Sequence, residues 1–76
     1  MLSSEKGNYM KIHYDKDVDA VYIELSDDSA TGCVETADGI NIDTNQDDRI
    51  IGIEILNASK KFDLKTIYSY ELDLPA

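Results

Sequence analysis

Isoleucines that alternate on both sides of a polar turn are the feature that most constrains this chain. Five of them recur at a spacing of two residues: Ile40, Ile42, Ile51, Ile53 and Ile55. A period of two built from β-branched residues is typical of strands with one buried face. The residues between the two runs, 44–48, read TNQDD and are turn formers. The pattern therefore predicts a β-hairpin over residues 39–56.

The same pattern predicts how the two strands pair. We expect Ile42 to lie opposite Ile51 and Ile40 opposite Ile53, because this register puts the isoleucines on one face. The second strand is also apolar on its other face, through Ile50. A strand that is apolar on both faces is usually central or covered by another element.

The rest of the chain predicts further short elements around this hairpin. Strands are expected at residues 11–14, 20–25, 33–36 and 66–74, and a short helix capped by Asn57 at residues 57–62. The first two strands pair consistently in one register: Ile12 with Ile23, Lys11 with Glu24, and His13 with Tyr22. The predicted fold class is α+β and β-dominated, with a small antiparallel sheet of about five strands built from hairpins and one short helix near residues 57–62. Residues 1–9 are expected to form a flexible tail, and residues 10–76 a single domain.

Composition excludes several classes of partner. The chain has 76 residues, with 16 acidic against 7 basic side chains and a net charge of −9. We therefore expect neither a nucleic acid nor an anionic membrane as a partner. No signal sequence or membrane span is visible, which predicts a cytoplasmic protein. A lone cysteine, Cys33, excludes an intrachain disulfide and a zinc cluster within one chain.

Two stretches resemble a known protein family. The chain resembles the domain-of-unknown-function family 2283 over roughly residues 10–62. The resemblance is carried by the stretches KIHYDKDVDAVYIELSD and ADGINIDTNQDDRIIGIEILNASKKF. Its most specific pieces are YDKDVDAVYI and GIEILNASK. The resemblance implies a compact β-rich domain with no catalytic residues to transfer. It also implies an antitoxin-like role, because some relatives neighbour small toxin-like proteins. Asp48 stands where the family tends to have glycine, so the resemblance does not fix the conformation of this turn.

Two acidic stretches have the oxygen ligands of a calcium loop but lack its geometry. Residues 43–54 carry oxygen donors at loop positions 1, 3, 5 and 12, but Asp48 replaces the glycine required at position 6. The strand-like flanks also differ from the helices of an EF-hand. In the second stretch, Asp15, Asp17 and Asp19 form an acidic cluster, but Ala20 replaces the glycine of position 6 and Ser26 replaces the glutamate of position 12. We interpret both as turns stabilised by side chain–backbone hydrogen bonds, with weak cation binding as the alternative.

Candidate catalytic residues are few. His13 is the only histidine, and we interpret it as an exposed strand residue rather than a general base. Cys33 is interpreted as a small, half-buried residue rather than a nucleophile. We find no P-loop, dinucleotide fingerprint, nucleophile elbow or HExxH motif. The sequence therefore assigns no catalytic, metal or cofactor site.

The aromatic residues are compatible with a protein–protein interface. Four tyrosines and one phenylalanine are candidates for an interface: Tyr14, Tyr22, Phe62, Tyr68 and Tyr70. A chain of this length stabilises only a small core, and dimerisation is a common remedy. We therefore expect a non-catalytic, self-associating interaction module, most simply a homodimer. The alternative is an antitoxin-like partner whose acidic surface neutralises a small basic protein.

Overall fold

A computed structural model describes residues 10–75, and the predicted tail at residues 1–9 lies outside them. Five strands form one antiparallel sheet: β1 (Lys11–Asp15), β2 (Ala20–Glu24), β3 (Gly32–Glu35), β4 (Ile40–Thr44) and β5 (Ile50–Leu56). Their order across the sheet is β1-β2-β5-β4-β3, so the strand that is apolar on both faces is the central one. The prediction of a small antiparallel sheet built from hairpins is confirmed.

The register between strands separates apolar from polar side chains. One row across all five strands is entirely aliphatic: Ile12, Ile23, Ile53, Ile42 and Val34. The rows on either side of it carry the charged and amide side chains, because neighbouring residues of a strand point to opposite faces. The predicted pairs of the first hairpin, including Ile12 with Ile23, are confirmed.

The register predicted for the second hairpin is wrong by two residues, although the shared face is right. Ile42 lies opposite Ile53, and Ile40 lies opposite Ile55. The register shifts between Asp43 and Thr44, where the partner strand carries Ile51 as an extra residue. This β-bulge accounts for the error, because an alternation count assumes an unbroken ladder.

The β4–β5 turn holds Asp48 in a backbone conformation that suits glycine. Asp48 has a φ of 66°, in the left-handed region that favours glycine. The side chain of Asn45 holds the turn by accepting hydrogen bonds from the backbone N–H groups of Asp47 and Arg49, at 2.9 and 3.0 Å.

Replacement of Asp48 by glycine is therefore expected to stabilise the protein. Removing the Cβ should relieve the left-handed conformation and raise the free energy of unfolding by about 1 kcal/mol, as measured by urea denaturation. Asp47→Gly is the matched control, because Asp47 has no positive φ. It should be neutral or destabilising, and equal stabilisation by both variants would contradict the explanation.

The short helix predicted at residues 57–62 is reduced to a single 3-10 turn. Ala58–Lys60 is a short 3-10 helix, and a second one spans Leu64–Tyr68. The residues described therefore contain no α-helix, and the fold is β-dominated rather than α+β. Asn57 has a left-handed backbone, with a φ of 54°, and its side chain caps nothing. The N–H group of Ser59 bonds the carboxylate of Asp19 instead.

The last strand predicted at residues 66–74 is also wrong. Asp63 caps the second 3-10 helix, its carboxylate accepting a hydrogen bond from the N–H of Lys65 at 3.0 Å. Its carbonyl oxygen accepts the hydroxyl of Thr66 at 2.8 Å. This local capping prevails over the alternating pattern up to Tyr68, and residues 69–75 form no strand. Within residues 10–75 no helix has the length and apolarity needed to cross a membrane.

Candidate interaction surface

One face of the sheet is a continuous hydrophobic surface within residues 10–75, and we call it the apolar face. We define it as the aliphatic row through Ile53 together with the neighbouring row of Tyr14, Val21, Ile55 and Ile40. Val21 is buried, whereas the four isoleucines of β4 and β5 in these rows are only half-buried. At the sheet edges Ile12 is 36% exposed, Tyr14 37% and Val34 56%. This face is therefore uncharged, continuous and incompletely covered.

The opposite side, which we call the polar face, carries the charged side chains of the strands. Its rows contain Lys11, His13, Glu24, Glu35, Asp43 and Glu54. Asn41 donates a hydrogen bond from Nδ2 to Oε1 of Glu54 at 2.9 Å. The strands thus carry their charged side chains on one side, away from the apolar face.

A tyrosine laid across a glycine organises the centre of the polar face. The Tyr22 hydroxyl donates to Oδ2 of Asp43 at 3.1 Å and reaches it by crossing β5 above Gly52. A Cβ built on Gly52 would coincide with the phenol of Tyr22. Burial, followed by the bond to Asp43, raises the pKa of the Tyr22 hydroxyl. Gly52 is therefore the residue that lets one side chain connect two strands.

Asp19 connects the β1–β2 turn to the segment that follows β5. Its carboxylate accepts hydrogen bonds from the Tyr14 hydroxyl at 2.9 Å and from the Ser59 hydroxyl at 2.7 Å. Its carbonyl oxygen accepts the N–H of Ala58 at 2.9 Å, and Ala58 is fully buried. The hydrogen bond from the Ser59 hydroxyl does most to lower the pKa of Asp19. Sequence reasoning missed this contact between residues 40 positions apart.

The acidic stretches of the sequence act as turns in the structure. Asp15 accepts a hydrogen bond from the backbone N–H of Asp17 at 2.9 Å, and Asp19 bonds Tyr14 and Ser59 as described. In the β4–β5 stretch Asp43 faces Tyr22. Across the described range 10–75, no three His, Cys, Asp or Glu side chains form a group that could hold a metal ion.

His13 and Cys33 lie on the two outermost strands, β1 and β3, with three strands between them. Four strand spacings separate them by roughly 19 Å, so the two cannot act on one substrate atom. His13 contacts Glu24 through Nε2 at 3.4 Å, with more than half of its side chain exposed. Cys33 is exposed rather than half-buried, which corrects the prediction. Desolvation, followed by the neighbouring Asp43, raises the pKa of its thiol and so lowers the thiolate fraction.

A polar cleft lies between the β2–β3 loop and the β4–β5 turn. It has a volume of about 310 Å³ and is lined by Asp28, Ser29, Thr31, Asn45, Gln46 and Asp47. Nδ2 of Asn45 donates to Oδ2 of Asp28 at 3.1 Å across it. Neither His13 nor Cys33 lines the cleft, so the candidate catalytic residues and the cavity do not coincide.

Four of the five aromatic interface candidates divide into two groups, and the fifth, Phe62, is half-buried. Tyr14 and Tyr22 lie in the sheet and bond Asp19 and Asp43. Tyr68 and Tyr70 follow the sheet and are 84% and 81% exposed. The second group therefore lies outside the packed part of the chain.

A single antiparallel sheet with one apolar and one charged face defines a small β-rich domain. The chain belongs to the family described as protein of unknown function (DUF2283), whose sequence profile matches residues 11–59. The match runs from the first residue of β1 to Ser59, so the hydrogen bond between Asp19 and Ser59 ties the end of the matched region to its first turn. No curated protein and no solved structure gives a significant match to the chain.

Proposed function

We propose that this protein is a non-catalytic interaction module that self-associates as a homodimer through its apolar face. The observation that carries the proposal is the exposure of that face: Val34 at 56%, Tyr14 at 37% and Ile12 at 36%, beside half-buried isoleucines. Contiguous apolar surface of this kind marks interaction sites.

A second copy of the chain fits this face for electrostatic reasons. The strand residues that form it are uncharged, so two copies related by a two-fold axis would bury no unpaired charge. The charged side chains of the strands lie on the opposite face, which would stay in water on both sides of a dimer. The acidic side chains of the strands therefore contribute no direct repulsion at the contact.

An edge substitution tests the proposal without disturbing the core. Val34→Lys places a charge on the apolar face at an exposed site, and should weaken dimerisation by roughly tenfold or more because that charge must be desolvated. Cys33→Lys is the matched control, because it adds the same charge on the same strand but on the polar face.

Sedimentation velocity under reducing conditions, across micromolar concentrations, gives the readout. The wild type and Cys33→Lys should dimerise with similar affinity, and Val34→Lys should sediment as a monomer. A wild type that stays monomeric, or equal dimerisation by both variants, would refute the proposal. Circular dichroism spectra of the variants establish that the sheet is retained.

Neutralisation of a small basic toxin is the second candidate function, and the polar face supports it. That face carries Glu24, Glu35, Asp43 and Glu54 against Lys11 and His13. An acidic surface would steer a basic protein to it and compete with RNA for that protein. Glu54→Gln and Glu35→Gln should then slow association with a basic protein encoded beside this chain, and leave dimerisation unchanged.

A further inference from the structure

The segment at residues 69–74 has highly exposed apolar side chains. Its alternate residues Tyr70, Leu72 and Leu74 are 81%, 72% and 71% exposed, and the preceding Tyr68 is 84% exposed. Ser69, the first residue after the 3-10 helix, has extended backbone angles, with φ −154° and ψ 160°. The segment thus combines a strand-like pattern with no strand partner in its own chain among residues 10–75.

The apolar face alone offers a small interface, which points to a further contribution. Five strands ~4.8 Å apart and about five residues long cover a projected area of roughly 400 Å². A stable interface takes roughly 800 Å² of accessible surface from each partner. The exposed tyrosine and leucine side chains of the segment that follows the sheet in the chain are a source of additional area.

We infer that residues 69–73 of one copy add as an antiparallel strand to the outer edge of β1 in a second copy, in a reciprocal exchange. This inference rests on the proposed self-association and deepens it. β1 ends the sheet, and no strand among residues 10–75 pairs with the outer side of its residues 12–15. Such an edge is a template for strand addition.

One register satisfies both faces of the added strand. It sets Leu72 against Ile12, Tyr70 against Tyr14, Asp73 against Lys11, Glu71 against His13, and Ser69 against Asp15. Both apolar pairs then extend the apolar face, since Ile12 and Tyr14 already belong to it. Asp73 meets Lys11 on the polar face, where opposite charges across a rung are favourable, and the carboxylate of Glu71 lies opposite the imidazole of His13.

The other edge of the sheet fits the segment less well. β3 carries Glu35 on its polar face and no basic residue. The setting that places Leu72 against Val34 also places Glu71 against Glu35, and like charges directly opposite each other are destabilising. Charge complementarity therefore selects β1.

A charge exchange between copies tests the inference with the full chain. Asp73→Lys alone sets the introduced lysine against Lys11 at both junctions of a dimer, and Lys11→Glu alone sets two acidic residues together. Each variant should dimerise roughly tenfold more weakly than the wild type. An equimolar mixture should recover much of the wild-type affinity, because one junction of the mixed dimer then pairs the introduced lysine with the introduced glutamate and the other keeps the native pair.

The matched control is Asp27→Lys, the same change of charge on an exposed loop residue. When it is mixed with Lys11→Glu, the dimer affinity should recover only as far as the change in net charge accounts for. Dimer dissociation constants come from sedimentation, and the mixed dimer is identified by native mass spectrometry.

The possible results separate this inference from the proposed function. A monomeric wild type overturns both. A dimeric wild type whose two charge variants gain nothing on mixing, or dimerise as tightly as the wild type, overturns the strand exchange and leaves association through the apolar face standing. Recovery in the mixture supports exchange between chains, because pairing within one chain would leave the like-charge contacts in place.

Discussion

Replacing Gly52 by alanine should lower the free energy of unfolding by about 2–3 kcal/mol, the upper range for forcing extra volume into a packed site. The new Cβ would occupy the position of the Tyr22 phenol. Tyr22 must then leave β5, which breaks its hydrogen bond to Asp43. A chain of this length has roughly 4–11 kcal/mol of total stability, so the loss is a large fraction of it. Urea denaturation followed by circular dichroism measures the effect.

Two controls separate the clash with Tyr22 from the general cost of replacing a strand glycine by alanine: the same substitution at a second glycine, and a double-mutant cycle. A Cβ at Gly32 would meet only the hydroxyl of Thr44, at 2.9 Å, and that side chain can rotate away. Gly32→Ala should therefore cost less than about 1 kcal/mol. In a Tyr22→Ala background, Gly52→Ala should lose most of its cost, because the clashing atoms are gone. An unchanged cost in that background would contradict the packing of Tyr22 on Gly52.

Replacing Asp19 by alanine is expected to have the second large effect. The substitution removes the acceptor shared by Tyr14 and Ser59, and it places alanine at a φ of 54°, a conformation that suits glycine best and that asparagine and aspartate tolerate better than alanine. The melting temperature should fall by several degrees, and the buried Ala58 should become accessible to amide hydrogen exchange. Asp17→Ala, two residues earlier in an exposed turn, is the control and should have little effect.

The pH dependence of the same contact has a definite sign. Hydrogen bonds from Ser59 are the main cause that lowers the pKa of Asp19 in the folded protein. A carboxyl group with a lowered folded pKa stabilises the fold above its ordinary pKa of 3.8, and that stability is lost as the pH falls through the folded value. The difference between the wild type and Asp19→Asn, which tolerates the left-handed backbone, should therefore shrink on acidification below pH ~4. A difference that grows in acid would refute the assignment.

Much of the sheet could be predicted from the sequence because side-chain alternation reports directly which residues share a face. The pairing of Ile12 with Ile23 follows from that pattern, and for β5 the pattern left two possibilities, a central or a covered strand, of which the structure shows the first. The register of β4 against β5 could not be predicted, because a bulge at Ile51 has no signature in the alternation. The interior glycine of β5, Gly52, was a usable signal for a close approach by another side chain.

The sequence predicted an aromatic and aliphatic surface, but it did not distinguish the aromatic residues of the sheet from those that follow it. The aromatic signal in the sequence treated Tyr14, Tyr22, Tyr68 and Tyr70 alike, whereas the structure separates them into residues of the sheet and residues of an exposed segment. The last strand was predicted from alternation over residues 66–74. Alternation specifies a face but supplies no neighbouring strand, and β structure needs a partner to satisfy its backbone hydrogen bonds.

By itself, the sequence determined the alternation of apolar and charged side chains, and hence a sheet with one face of each kind, because the spacing of two residues is a property of the extended backbone. The tertiary structure alone decided which distant side chains meet. The Asp19 carboxylate bonds Ser59 across 40 positions, and Tyr22 crosses Gly52 to reach Asp43. Contacts of this kind depend on strand order and on the bulge, which are set by the packing of the whole chain rather than by any local pattern.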